Sequence, residues 1–211
     1  MANWITISRL PVLITIILLL STTSPAARFV AAGLVIVLIA LDSIDGLVAR
    51  KRGEISLMGS VLDIMMDRSV ELVLWVWYAH LQLIPVAIPI IYILRGTIVD
   101  SLRNVRVRDG TAPFDSSHTR LGTWLMKSPM MRTGYAVSKC FTFTGLALAY
   151  ALYALAERGT VPTGTAESAH AIAWAIAWLS TAFCLARGLP IIIENLPVLF
   201  QVQRASTGAK Q

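Results

Sequence analysis

Residues 42–67 read DSIDGLVARKRGEISLMGSVLDIMMD, and they carry four aspartates within sequence that is otherwise strongly apolar. Residues 31–41 before this stretch and residues 72–83 after it contain no Asp, Glu, Lys or Arg. Ionisable side chains at membrane depth are costly, and by default they indicate a functional site. The stretch therefore predicts a membrane-embedded chain and also where its site lies.

The four aspartates fall into two pairs with helical spacing. Asp42 and Asp45 are three residues apart, and Asp63 and Asp67 are four apart, so each pair lies on one face of a helix. Residues 50–54 between them are polar and include a glycine, which predicts a short turn. Two antiparallel helices joined there would bring both pairs together.

Four carboxylates at such short range repel one another strongly unless protons or hard cations hold them. Carboxylate oxygens suit Mg²⁺, Mn²⁺ or Ca²⁺. Gly46 and Gly59 leave the backbone open to a ligand, and Arg50 provides a planar cation suited to a phosphate. Together these features predict metal-assisted phosphoryl transfer.

The same residues carry a resemblance to a known family. The pattern Asp-x2-Asp-Gly-x2-Ala-Arg-x8-Gly-x3-Asp-x3-Asp is the signature of the CDP-alcohol phosphotransferases, and all eight of its fixed positions are matched. The matching residues are Asp42, Asp45, Gly46, Ala49, Arg50, Gly59, Asp63 and Asp67. The alternative is that the aspartates are buried charges that only pair with Arg50 and Arg68.

The resemblance implies a division of roles among these residues. Two divalent cations, Mg²⁺ or Mn²⁺, would bind the four aspartates, and Asp67 would act as the general base. The residues that would help to hold the CDP group are Gly46, Ala49, Arg50 and Gly59.

The composition indicates an integral membrane protein. Only 14% of the 211 residues are charged and 56% are hydrophobic, with a mean hydropathy of +0.69, whereas a soluble domain carries about a quarter charged residues. We expect an all-α fold in which residues 1–211 form a single membrane domain. Six apolar stretches predict transmembrane helices at about 9–20, 27–49, 59–79, 84–99, 140–156 and 169–189. The first stretch also resembles a signal peptide, but a second span follows it at once.

Basic residues predict the orientation of the chain. Most Lys and Arg residues fall on one side of the six predicted spans, and that side is expected to be cytoplasmic. Both termini and the aspartates would then face the cytosol. Residues 103–139 would form a cytoplasmic or interfacial segment that anchors to anionic lipid. This asymmetry accounts for the net charge of +6, and no motif for nucleic-acid binding is present.

Residues that could bind an acceptor phosphate follow the third predicted span. Arg95 and Arg103 are eight residues apart, which places them about 80° apart around a helix. Phosphatidylglycerophosphate synthases of the same family often carry two arginines at this spacing, although they have Glu where this chain has Gly96. Arg132 and Lys139 are two further candidates. The alternative is that Arg95 pairs with a core aspartate and Arg103 is a membrane anchor.

The resemblance implies that CDP-diacylglycerol donates a phosphatidyl group to a small alcohol and that CMP is released. Glycerol 3-phosphate is the favoured acceptor, while inositol phosphate, serine or a second phospholipid remain open. A divalent-cation transporter is an alternative class of protein, but its carboxylates would line a path across the membrane instead of clustering at one face. An inactive family member is a further alternative, and the intact motif argues against it.

Three smaller features remain open at this level. Glu71 lies one turn after Asp67 and would either support the cluster or pair with Arg68. Trp75, Trp77 and Tyr78 would form an aromatic belt at the membrane interface. A stripe of small residues at positions 169, 173 and 177 would serve as a helix contact within the chain or as the seam of a homodimer.

Overall fold

The computed structural model describes the backbone of residues 2–52, 57–108 and 128–208, and the side chains of residues 6–42, 59, 61–102 and 128–193. Over these ranges the chain is all-helical, as the sequence predicts. The helices are α1 (Ala2–Leu20), α2 (Pro25–Arg52), α3 (Leu57–His80), α4 (Ala87–Arg108), α5 (Pro129–Glu157) and α6 (Thr163–Gly208).

Three helical stretches are long and apolar enough to cross a membrane. They are Pro25–Asp42 in α2, Pro129–Glu157, which is α5, and Thr163–Ile193 in α6. The apolar part of α1, Thr6–Leu20, is shorter. These helices fit a membrane-embedded protein, and the total of six spans stays a prediction.

One predicted boundary differs from the structure. The prediction of a turn at residues 50–54 is wrong for the start of that turn, because α2 continues to Arg52. Ala, Arg and Lys all favour a helix, so a polar composition alone does not end one. The segment expected at residues 103–139 is helical at both ends, since α4 continues to Arg108 and α5 begins at Pro129. Residues 53–56 and 109–127 lie outside the described part.

The chain divides into two compact units. The first comprises Met1–Pro89 and Ser138–Trp178. Within it α1 packs against α2 and α3. Apolar side chains with no exposed surface lie on all three helices, among them Ile16, Val35 and Leu74. This packing fixes the relative positions of the helices that carry the aspartates.

The predicted aromatic belt is wrong for Trp75 and Tyr78. Both are fully buried in the first unit and contact Phe143 of α5. The rings of Trp75 and Phe143 meet edge to face with centroids 4.8 Å apart, and Tyr78 Oη donates a hydrogen bond of 2.7 Å to the Phe143 carbonyl. Their large rings fill the contact between α3 and α5, because α5 faces them in the folded protein.

Small residues allow α5 and α6 to approach closely. A Cβ added at Gly145 would lie 3.2 Å from the Cβ of Ala173, and Ala173 and Ala177 are buried. The small-residue stripe therefore makes a helix contact within the chain at Ala173. This is the first of the two alternatives that the sequence left open.

The second unit comprises Ile90–Val137 and Leu179–Gln211. Val99 and Ile191 are buried in it, and Ile192 packs against them. Tyr92 Oη and Ser180 Oγ share a buried hydrogen bond of 3.0 Å. These contacts join α4 to the second half of α6.

Candidate active site

Carboxylates from two helices meet at a single guanidinium, that of Arg9 on α1. Arg9 Nη1 lies 2.7 Å from Asp42 Oδ1 of α2 and 3.8 Å from Asp63 Oδ1 of α3. Its Nη2 lies 3.7 Å from Asp67 Oδ1, also on α3. The structure thus brings together three of the four predicted aspartates, one from the first pair and both from the second.

Burial differs sharply between the two sides of this contact. The Arg9 side chain is 2% exposed, whereas those of Asp42, Asp63 and Asp67 are 39%, 50% and 49% exposed. The guanidinium therefore lies on the protein side of the carboxylates. The carboxylates keep a large surface through which a ligand can reach their oxygens.

Arg9 is the residue of this contact that sequence reasoning missed, because it was counted only among the basic residues on the positive side of the membrane. It is the one charged residue in α1, which spans Ala2–Leu20. A lone charge in an apolar helix needs a partner of opposite sign, because burying an unpaired charge is costly. That signal was present in the sequence, but the partner lies 33 or more residues away along the chain.

Part of the predicted site lies outside the described side chains. The backbone of α2 includes Asp45, Gly46, Ala49 and Arg50, but their side chains belong to the part left undescribed. Gly59 lies in the first turn of α3. Among the described side chains, no group of three or more His, Cys, Asp and Glu is arranged to hold a metal ion. The metal site stays a prediction that involves Asp45 as well.

A second polar contact lies one turn beyond Asp67 on α3. Glu71 is buried, and its Oε2 lies 3.1 Å from Lys139 Nζ of α5 and 4.0 Å from Arg68 Nη1. Of these two contacts the closer is with Lys139, a residue that the sequence assigned to the acceptor phosphate. Lys139 is 18% exposed and lies against this carboxylate.

The other described acceptor candidates belong to the second unit. Arg95 lies against Gly188 of α6, where an added Cβ would come within 2.7 Å of its Cγ and Nε. Among the described side chains Arg95 forms no ion pair, and its Nε is buried without a hydrogen-bond partner. Arg132 is exposed in the first turn of α5. Arg103 lies on α4 with its side chain outside the described part.

Helices suited to a membrane and a gathered set of carboxylates fit a membrane-embedded protein with an acidic site. The sequence matches the CDP-alcohol phosphatidyltransferase family over residues 1–186, and the chain belongs to that family. It is accordingly a transferase for substituted phosphate groups that acts in membranes on CDP-alcohol substrates, in phosphatidyl transfer for phospholipid synthesis. No curated protein matches the sequence.

Proposed function

We propose that the protein transfers a phosphatidyl group from CDP-diacylglycerol to an alcohol, with glycerol 3-phosphate as the favoured acceptor, and releases CMP. The observation that carries this proposal is the convergence of Asp42, Asp63 and Asp67 from two helices. These three residues are the described aspartates of a motif that is complete in the sequence. The protein would resemble a phosphatidylglycerophosphate synthase.

The donor atoms of this cluster are of the type that divalent cations prefer. Its donors are carboxylate oxygens, they come from two helices, and they are about half exposed. Oxygen ligands of this kind suit hard cations such as Mg²⁺ and Mn²⁺. Asp42, Asp45, Asp63 and Asp67 would hold two of them. When bound, the cations would offset the negative charge of the pyrophosphate and of the departing CMP.

The protein's own residues would then carry out the transfer. Asp67 accepts the proton of the acceptor hydroxyl, whose oxygen attacks the phosphorus that bears diacylglycerol. A new P–O bond forms as the P–O bond to CMP breaks, and Arg50 pairs with the phosphate of the departing CMP. The CDP group is held by Gly46, Ala49, Arg50 and Gly59. The lipid donor enters sideways from the bilayer, on the cytoplasmic side of a chain with six spans.

The acceptor phosphate would meet one or more arginines. Arg95 and Arg103 both lie on α4, which extends from Ala87 to Arg108, so their predicted separation around one helix is supported. Arg95 in particular has a buried Nε that makes no hydrogen bond among the described residues. Arg132 adds a third cation, whereas Lys139 lies against Glu71 and is the weakest of the four candidates.

The test is CMP release by the purified full-length protein in detergent, with CDP-diacylglycerol, Mg²⁺ or Mn²⁺, and one acceptor at a time. CMP that appears only with glycerol 3-phosphate is the expected result. Release only with inositol phosphate, serine or a phospholipid would keep the reaction and overturn the acceptor. If folded and metal-loaded protein releases no CMP with any acceptor, the proposed donor is wrong. The divalent-cation transporter would then be the alternative to test.

Asp67→Asn should lower CMP release at least about 10²-fold, because the amide cannot accept the acceptor's proton. The change is nearly isosteric, so the variant should elute from a sizing column like the wild type. Glu157→Gln removes a carboxylate from the exposed end of α5 and should leave the rate unchanged. A normal rate for Asp67→Asn would exclude Asp67 as the base.

A further inference from the structure

We propose that Arg9 is a built-in counter-cation of the aspartate cluster, which gathers the carboxylates before a divalent cation binds and competes with that cation for their oxygens. The inference rests on the proposed function, since it takes the aspartates as metal ligands. It assigns a positioning role to a residue outside the family motif, on a helix that contributes no carboxylate to the cluster.

The first argument comes from the burial of a permanent charge. Arg9 is 2% exposed, and a guanidinium does not lose its proton in a protein. Its Nε is buried without a hydrogen-bond partner, and its Nη1 forms an ion pair with Asp42. The charge is therefore offset mainly by the electrostatic attraction of the three carboxylates around it, with Asp42 closest at 2.7 Å. In return, one cation keeps three like charges together on two helices.

The second argument is that Arg9 and a metal ion would use the same atoms. The nearest oxygen to Arg9 is Oδ1 in Asp42, in Asp63 and in Asp67. A divalent cation binds carboxylate oxygens at about 2.0–2.6 Å. A guanidinium within 3.8 Å of all three oxygens would then lie close to a second, doubly charged cation, and the two would repel.

A thermodynamic consequence follows from this competition. If the metal weakens the hold of Arg9 on the carboxylates, Arg9 weakens the binding of the metal by the same factor. Removing Arg9 should therefore make the metal bind more tightly, while the metal-free protein becomes less stable because its carboxylates repel. A residue that only packs against the core would lower stability equally with and without metal.

Arg28 provides a matched control in the same unit. It is also a buried arginine, 8% exposed, and its guanidinium carbon lies 3.8 Å from the centroid of the Tyr150 ring. Its Nε donates to the Thr22 carbonyl over 2.9 Å. Arg28 lies fourteen residues before Asp42 on α2, about 21 Å away along the helix axis.

The experiment is a titration of the full-length protein in lipid nanodiscs with Mn²⁺ after treatment with EDTA, using the electron paramagnetic resonance signal of free Mn²⁺. Arg9→Gln should bind Mn²⁺ about tenfold more tightly than the wild type, a change of about 1.4 kcal/mol. Arg9→Lys keeps a positive charge on a single ammonium group of a shorter side chain. Its affinity for Mn²⁺ should lie between those of the wild type and Arg9→Gln. Arg28→Gln should bind Mn²⁺ as the wild type does.

Thermal unfolding of the same samples gives a second readout. The midpoint of Arg9→Gln should fall in EDTA and return to the wild-type value in saturating Mn²⁺. Arg28→Gln should lose the same number of degrees in both conditions. Equal losses for Arg9→Gln in both conditions would show a purely structural role and overturn the proposal.

Further outcomes separate this proposal from the function on which it rests. Asp63→Asn should lose Mn²⁺ binding; if it binds as the wild type does, the assignment of the metal to the aspartates fails. If Asp63→Asn loses binding but Arg9→Gln binds no more tightly than the wild type, the role of Arg9 alone is overturned. Should Arg9→Gln not fold, Arg9→Lys carries the test, and an unchanged or weaker affinity in that variant contradicts the proposal.

Discussion

Arg95 keeps its place beside α6 because residue 188 has no side chain. A Cβ at Gly188 would lie 2.7 Å from Arg95 Cγ and Nε and 3.2 Å from its Cδ. Cγ is only two bonds from the Arg95 backbone, so a small rotation of the guanidinium would not relieve the overlap. Gly188 thus controls the position of Arg95, which is proposed to bind the phosphate of the acceptor.

Gly188→Ala should therefore weaken the binding of the acceptor more than the binding of the donor. We expect the KM for glycerol 3-phosphate to rise about tenfold or more, because one charge-assisted hydrogen bond to its phosphate would be lost. The KM for CDP-diacylglycerol should change little. Steady-state CMP release with each substrate varied in turn measures both constants.

Gly96→Ala is the control for this experiment. Gly96 is adjacent to Arg95 on α4, but a Cβ there would meet nothing within 4 Å. It should leave both KM values at the wild-type level. An unchanged acceptor KM in Gly188→Ala would remove Arg95 from the acceptor site.

At the scale of the helices, an ion pair ties α3 to α5 just beyond the aspartates. Glu71 and Lys139 meet at 3.1 Å, and Glu71 is buried. The same two helices also meet through Tyr78, which donates a hydrogen bond to the Phe143 carbonyl. Because Glu71 follows Asp67 by one turn, this contact helps to orient the part of α3 that carries the proposed base.

Lys139→Gln should destabilise the protein, because it removes a charge partner that lies 3.1 Å from a buried carboxylate. Breaking a buried pair from one side costs about 3–5 kcal/mol, and we expect the lower end because Lys139 keeps some exposure and Arg68 remains nearby. Unfolding in mixed detergent micelles with increasing sodium dodecyl sulfate measures the loss.

The double variant Glu71→Gln with Lys139→Gln should recover part of this stability, since no buried charge is then left unpaired. Its KM for the acceptor should stay close to that of the wild type if Lys139 serves only the ion pair. A large rise in that KM would instead indicate that Lys139 binds the acceptor. No recovery of stability would show that the two side chains do not depend on each other.

At the scale of the whole molecule, charge and apolar length define how the chain meets a membrane. Three stretches satisfy the length and hydropathy of a span, and α1 carries a shorter apolar stretch. The connection between α5 and α6, residues 158–162, carries one basic residue, whereas residues 103–139 carry several. This difference supports the proposed topology of six spans with both termini in the cytoplasm.

Reporter fusions in a bacterial host test this topology. A fluorescent protein attached after Gln211 should fluoresce, as expected for a cytoplasmic C-terminus. Alkaline phosphatase inserted at Gly159, in the connection between α5 and α6, should be active, because that enzyme matures only outside the cytoplasm. Active phosphatase at the C-terminus and an inactive insertion at Gly159 would reverse the proposed orientation.

The contacts that the sequence did not reveal have a common physical cause. Trp75 and Tyr78 were assigned to the membrane interface from their position near a helix end, but they are buried because Phe143 packs against them. Lys139 lies within 3.1 Å of Glu71, and the basic segment around Lys139 gives no sign of this contact. In each case the deciding partner lies more than sixty residues away along the chain.

The sequence by itself determined the membrane-embedded class, the helices and the aspartate motif, because apolar runs and helical spacing are local properties of a chain. It also predicted that the aspartates of two helices would meet. Only the tertiary structure decided that Arg9 lies among them, that Glu71 pairs with Lys139, and that Arg95 rests on Gly188. Such contacts join residues far apart in sequence, so they depend on how whole helices pack and not on the residues beside them.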